Sequence, residues 1–197
     1  MEEQKDEYIM TRRNKNYTSA IPFPTNIEME PIGKIISPYK ERHGTPRQSE
    51  LQSKPSNYVP VEATIALFPE KVPSIALKDM EGFDRIWVIA WLHLNESWNP
   101  TVLPPRGPRV RRGTLATRAP HRPNPIGLSS VKLLRIEGYN LIVEGIDLLD
   151  NTPVLDIKPY VVYCDSFPNA RSGYVDEVEQ SGDHEKHVYG AKRTKEE

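Results

Sequence analysis

The chain has 197 residues, 37% hydrophobic content and a mean hydropathy of −0.60, which fits one domain with polar tails. Its formal net charge of −1 supplies no global field for nucleic acid, so any basic surface must be local. The single Cys164 excludes a disulfide framework and any Cys-x-x-Cys metal site, and with no apolar segment of spanning length it points to a cytoplasmic protein.

Residues 1–28 mix both charges without apolar periodicity and read as a flexible arm. The ordered domain is expected over residues 29–168. PIGKIISP at 31–38 reads as a first strand ended by Pro38. The segment YKERHGTPRQSELQSKPSN that follows, with Gly44, Pro46 and Pro55, is a long loop. VPVEATIALF at 59–68 reads as a second strand, and residues 76–84 as one or two helical turns ending at Gly82. RIWVIAWLHL at 85–94 is nearly unbroken apolar sequence of strand length, the pattern of a central strand buried on both faces, with His93 at its rim. Residues 95–108 form a proline-rich loop.

That loop leads into RVRRGTLATRAPHRPNPIGL at 109–128, which combines Arg109, Arg111, Arg112, Arg118, His121 and Arg122 with Pro120, Pro123 and Pro125. Each proline fixes its own φ and drives its predecessor towards extended backbone, so this is a stiff loop and not a helix. Its flanks, TLAT at 114–117 and IGLSSVKLL at 126–134, read as strands. A rigid basic loop suits a ligand rich in phosphate or carboxylate, because guanidinium groups pair bidentately with both. Residues 130–147 alternate and turn at Gly138, a hairpin signal. DLLDNTPVLDIKPY at 147–160 places a turn at Asp150, Asn151 and Pro153 before a short strand, and residues 169–197 read as a polar tail. The reading is a mostly β, single-domain small β-barrel with long loops, few short helices and no Rossmann architecture.

No G-x-G-x-x-G or G-x-x-x-x-G-K-[ST] motif is present, and His184 and His187 lack the spacing of paired metal ligands, so no metal is expected. Three polar clusters remain, at residues 43–48, 118–124 and 147–158, each at the end of a predicted strand, where loops converge at a barrel mouth. By themselves they indicate a β domain that binds an anionic small molecule.

At these clusters the chain resembles the TsaA-like, or TrmO (YaeB), family of S-adenosylmethionine-dependent tRNA (adenine-N6)-methyltransferases. The matching strings are SPYK at 37–40, PRQ at 46–48, EGFDRIW at 81–87, PPR at 104–106, GTLATRAPHRPNPIGL at 113–128 and DLLDNTPVLDIKPY at 147–160. The resemblance implies a small β-barrel, a homodimer and S-adenosylmethionine as methyl donor. The acceptor it implies is N6 of threonylcarbamoyl-adenosine, next to the anticodon of threonine tRNA. The donor contacts it implies are Pro46, Arg47, Gln48, His93, Leu94, Arg118, Leu128 and the turn of Asp150, Asn151, Thr152, Pro153 and Val154. A base that takes the N6 proton is then sought among Asp147, Asp150 and His121. Arg118 or Arg122 would receive the threonyl carboxylate. Arg106, Arg109, Arg111 and Arg112, with Asn124, would meet the tRNA anticodon stem-loop.

The chain departs from the family in having Asn151 where glycine is frequent, and in lacking the longer carboxy-terminal domain of some bacterial members. Two alternatives stand beside the tRNA enzyme. One is a methyltransferase of the same fold acting on another nucleoside or a small molecule; the other is a non-catalytic module that binds S-adenosylmethionine and regulates a partner.

Overall fold

The computed structural model describes residues 24–41, 45–46, 61–105 and 108–181. Six strands close a barrel: β1 (Gly33–Ile36), β2 (Glu62–Leu67), β3 (Arg85–Trp91), β6 (Ile126–Glu137), β7 (Asn140–Glu144) and β8 (Pro153–Pro159). Their order round the barrel is β1-β2-β7-β6-β3-β8, every pairing is antiparallel, and β8 returns to β1. Two short strands, β4 (Thr101–Val102) and β5 (Arg112–Gly113), form a separate ribbon.

The alternation legible in the sequence sorts side chains to the inside. Ile35, Ile65, Ile86, Val88, Ala90, Val131, Leu141, Val143 and Val154 are fully buried in one core cluster. Gly33 belongs to the same packing, since a Cβ there would stand 2.6 Å from the Ala66 carbonyl oxygen. The hairpin between β6 and β7 turns at Gly138, whose φ of 61° suits glycine.

Because the sheet is antiparallel throughout, the exits of β1, β3 and β7 lie at the same end as the starts of β2, β6 and β8. The register says so directly: Ile36 pairs with Thr64, Trp91 with Ile126, and Glu62 with Glu144. The segments leaving β1, β3 and β7 and those entering β2, β6 and β8 therefore lie at one mouth. The opposite end carries residues 68–84, including the 3₁₀ turns Ser74–Leu77 and Met80–Gly82, and the Gly138 turn.

Several expectations change. β3 is central but not buried on both faces: Ile86, Val88 and Ala90 are buried while Trp87, Ile89 and Trp91 are half-buried. A barrel covers only its inner surface, so an apolar strand keeps a second face on the outside. The TLAT flank is a 3₁₀ helix, Thr114–Ala116, entered from the two-residue β5. The stretch read as polar tail carries α2 (Tyr174–Ser181), after the single-turn α1 (Val162–Asp165), and Val178 of α2 is buried. No helix among the described residues is long and apolar enough to cross a membrane.

Candidate active site

One of the three polar clusters, residues 147–158, is joined at the mouth to the segment before residue 41 by backbone and side-chain hydrogen bonds. The segment leaving β1 is tied to the loop between β7 and β8. The Ile35 amide donates to the Thr152 carbonyl at 2.9 Å, the Asn151 amide to the Ile35 carbonyl at 2.8 Å, and the Asp150 amide to the Tyr39 carbonyl at 2.8 Å. Ser37 adds its hydroxyl to the Leu148 carbonyl at 3.0 Å. The Asp150 carboxylate accepts the Ser37 amide on Oδ1 at 3.0 Å and the Lys40 ammonium on Oδ2 at 2.5 Å. Asn151 donates its side-chain amide to the same Oδ2 at 2.8 Å, and its own φ is 60°, in the left-handed region that asparagine tolerates. Lys40, and after it the Ser37 amide, hold the Asp150 carboxyl below the usual carboxylate range.

Asp147, three residues earlier, has the opposite environment. Burial pushes its carboxyl up, against the lowering effects of a hydrogen bond from the buried Ser129 and of the Arg118 charge. The Ser129 hydroxyl donates to Asp147 Oδ1 at 2.5 Å. Ser129 reaches it because the alternation of β6 turns Ser129 inward between the outward Leu128 and Ser130.

The third cluster is braced by the loop before it. Buried Thr114 donates its amide to the Pro100 carbonyl at 3.0 Å and its hydroxyl to the Asn99 carbonyl. Arg111 donates to the Thr101 hydroxyl at 2.8 Å and the Thr101 carbonyl at 2.6 Å, bracing β4 against β5. Arg122 turns back on the 3₁₀ helix, its Nη1 donating to the carbonyls of Thr117 at 2.7 Å, Thr114 at 3.3 Å and Ala119 at 3.4 Å. The Arg112 guanidinium lies 4.7 Å from the Tyr174 ring centroid and 4.0 Å from the Glu177 carboxylate, which docks α2 on the basic stretch. Several arginines of the basic stretch at residues 109–128 thus hold the loop's own shape.

The structure ties Asp147 to Ser129, with the Arg118 charge lowering its carboxyl slightly, and brings Asp150, Asn151 and Thr152 together with the exit of β1. The Leu92 amide donates to the Pro125 carbonyl at 2.8 Å, which sets the exposed His93 and Leu94 beside the start of β6. Leu94 is 65% and Leu128 50% exposed, so apolar area is uncovered at the rim. Leu128 points to the outer face of β6 and Asp147 bonds its inner face, so the strand separates these two candidates. Pro46, Arg109, Arg118 and Asn124 are exposed, His121 is half-buried, and Pro153 and Val154 open β8. Arg47, Gln48 and Arg106 lie outside the described residues. Sequence reasoning passed over Ser129 and Lys40 as site residues; both stand inside quoted strings, but nothing in a string tells that a carboxylate 18 or 110 positions away is the partner.

An antiparallel barrel whose β3–β6 and β7–β8 connections carry exposed arginines, a raised carboxyl and uncovered apolar area is a non-Rossmann β domain suited to binding a ligand. The family model described as the tRNA-methyltransferase O N-terminal domain matches residues 34–166, and the chain belongs to that family. A probable S-adenosyl-L-methionine-binding protein of Methanothermobacter thermautotrophicus is 44% identical over 140 residues, covering 71% of this chain and 94% of that protein. The tRNA (adenine(37)-N6)-methyltransferase of Escherichia coli is 36% identical over 157 residues, covering 76% of this chain and 64% of the enzyme. The crystal structure of TrmO from Pseudomonas aeruginosa superposes with a TM-score of 0.62 at 38% identity, over 77% of this chain and 63% of that one. The chain thus spans just under two thirds of these two bacterial proteins and nearly the whole of the archaeal one.

Proposed function

We propose that this protein is an S-adenosylmethionine-dependent methyltransferase that modifies N6 of threonylcarbamoyl-adenosine at tRNA position 37, in threonine tRNA. The observation that carries this reading is the Asp147 carboxyl, raised by burial and held by Ser129 beside Arg118, in a chain that aligns with tRNA (adenine(37)-N6)-methyltransferases. The residues suit the donor. Leu94 and Leu128 offer uncovered apolar area to a purine, and Arg118 offers a cation to a carboxylate or a ribose hydroxyl. Pro46, Arg47, Gln48, His93, Leu94, Arg118, Leu128 and the turn from Asn151 to Val154 hold it in this reading. When bound, S-adenosylmethionine supplies an electrophilic methyl carbon on a sulfonium.

The acceptor nitrogen carries an acyl group and is a weak nucleophile, so positioning contributes most and a base contributes the rest. Asp147 is the base. Its raised proton affinity suits proton uptake, whereas the Asp150 carboxylate is already occupied by three donors and lowered. With the donor bound, Asp147 would take the proton that leaves N6. Arg118 receives the threonyl carboxylate in preference to Arg122, whose Nη1 is spent on three backbone carbonyls. The exposed Arg109 meets anticodon-loop phosphates. A cytoplasmic homodimer goes with this reading.

The test is methyl transfer from labelled S-adenosylmethionine to tRNA taken from cells with and without the threonylcarbamoyl modification. Label entering only the modified threonine tRNA is expected. Label entering neither tRNA, with donor binding intact, overturns the reading in favour of another acceptor or a regulatory module. Sedimentation of the protein as a monomer at micromolar concentration would remove the homodimer.

A further inference from the structure

Asp150 is the most heavily engaged carboxylate at the mouth. It accepts the Ser37 amide, the Lys40 ammonium and the Asn151 side-chain amide, and its own amide donates to the Tyr39 carbonyl. The residue after it is one of two non-glycine residues with positive φ among the described residues, and its amide bonds the Ile35 carbonyl. Lys40 is itself mostly exposed, so the ion pair is held at the surface end of the loop while the Ser37 bonds are buried beneath it. A carboxylate with this set of donors has little capacity left to collect a proton. It can instead define the distance between two chain segments 110 residues apart.

We infer that Asp150 is a positioning residue: through Ser37 and Lys40 it bolts the turn from Asn151 to Val154 to the exit of β1, in the shape that takes up the methyl donor. This rests on the proposal that the mouth binds S-adenosylmethionine. Lys40 and Ser37 thereby become part of the donor site without touching the donor. The left-handed Asn151 is kept in place by the bonds on either side of it, which explains how a chain without glycine there retains the turn.

The experiment compares wild type, Asp150→Asn and Lys40→Met, the last at a surface side chain that does not threaten folding. Amide exchange at Ser37, Asp150 and Asn151 is measured without donor, the Kd for S-adenosylmethionine by calorimetry, and turnover at saturating donor. The clamp predicts faster exchange at these amides and a Kd raised about tenfold in Asp150→Asn and by less in Lys40→Met, the loss sitting in Kd and not in turnover. Unchanged exchange overturns the inference. So does an unchanged Kd with turnover abolished, which would make Asp150 the base. If wild type itself binds no donor, the functional reading fails, and amide exchange alone still decides whether the clamp exists.

Discussion

The Ser129 hydroxyl donates to Asp147 Oδ1, joining the buried inner face of β6 to the loop that leaves β7. The carboxyl is thus held against burial by one hydroxyl and by the nearby charge of Arg118, and burial prevails.

Asp147→Asn tests the base. Methyl transfer is expected to fall by about 10²-fold or more with the donor Kd unchanged. In wild type the single-turnover rate falls as pH drops through the Asp147 pKa, which lies above the ordinary carboxylate value, because only the ionised form accepts a proton. The stability sign is the reverse of the usual carboxylate case. An acid whose folded pKa is raised makes the protein less stable as pH rises through that pKa, so the neutral amide should leave Tm at pH 7 equal or higher. Retained activity in Asp147→Asn sinks the assignment.

Arg109 is exposed, and no bond holds it among the described contacts of the basic stretch, unlike Arg111, Arg112 and Arg122. Arg109→Ala is expected to weaken tRNA binding and to reduce the slope of log K against log salt by about 0.7–0.9, one phosphate contact. Donor affinity stays as in wild type. A filter-binding series from 50 to about 200 mM salt reads both; an unchanged slope removes Arg109 from the tRNA surface.

Asn151→Gly should keep donor binding, because glycine adopts a φ of 60° without strain and loses only the amide donated to Asp150. Asn151→Val should cost about 1–3 kcal/mol, since a β-branched side chain resists the left-handed region. Urea denaturation of the pair orders them; equal stability would show that the turn has rearranged.

Gly33→Ala probes the barrel itself. The added Cβ meets the Ala66 carbonyl oxygen at 2.6 Å and the Leu67 Cα at 3.0 Å, both backbone atoms that cannot swing away. A loss of about 1–3 kcal/mol is expected in chemical denaturation, with the β1–β2 pairing most affected. A neutral result would mean that β1 can shift outward at no cost.

Much of the barrel was legible because alternation is a local property. The Gly138 hairpin follows from residues close in sequence, whereas RIWVIAW read as buried on both faces and only closure of the barrel turns Ile86, Val88 and Ala90 alone inward. TLAT misled because β-branched residues suit a strand, while here Thr114 spends its hydroxyl on the Asn99 carbonyl and tightens the backbone into a 3₁₀ turn. Asp147 and Asp150 read alike as candidate bases three positions apart, yet one is raised by burial and the other lowered by Lys40. Equally, Arg111, Arg112 and Arg122 read as ligand-binding cations, and the folded loop gives each of them a partner within the protein.

The sequence by itself determined the mostly β class, the family carried by its long proline-arginine and aspartate strings, and the three loops that hold the candidate residues. These depend on periodicity, on fixed proline backbone angles and on residue identity, all read within a few positions. The tertiary structure alone decided which carboxyl is buried and which is ion-paired, which arginines find partners within the fold, and that Leu128 and Asp147 lie on opposite sides of β6. Proton affinity and charge availability are set by burial and by partners brought from more than a hundred residues away, as Lys40 is to Asp150, and only closure of the barrel creates those neighbours.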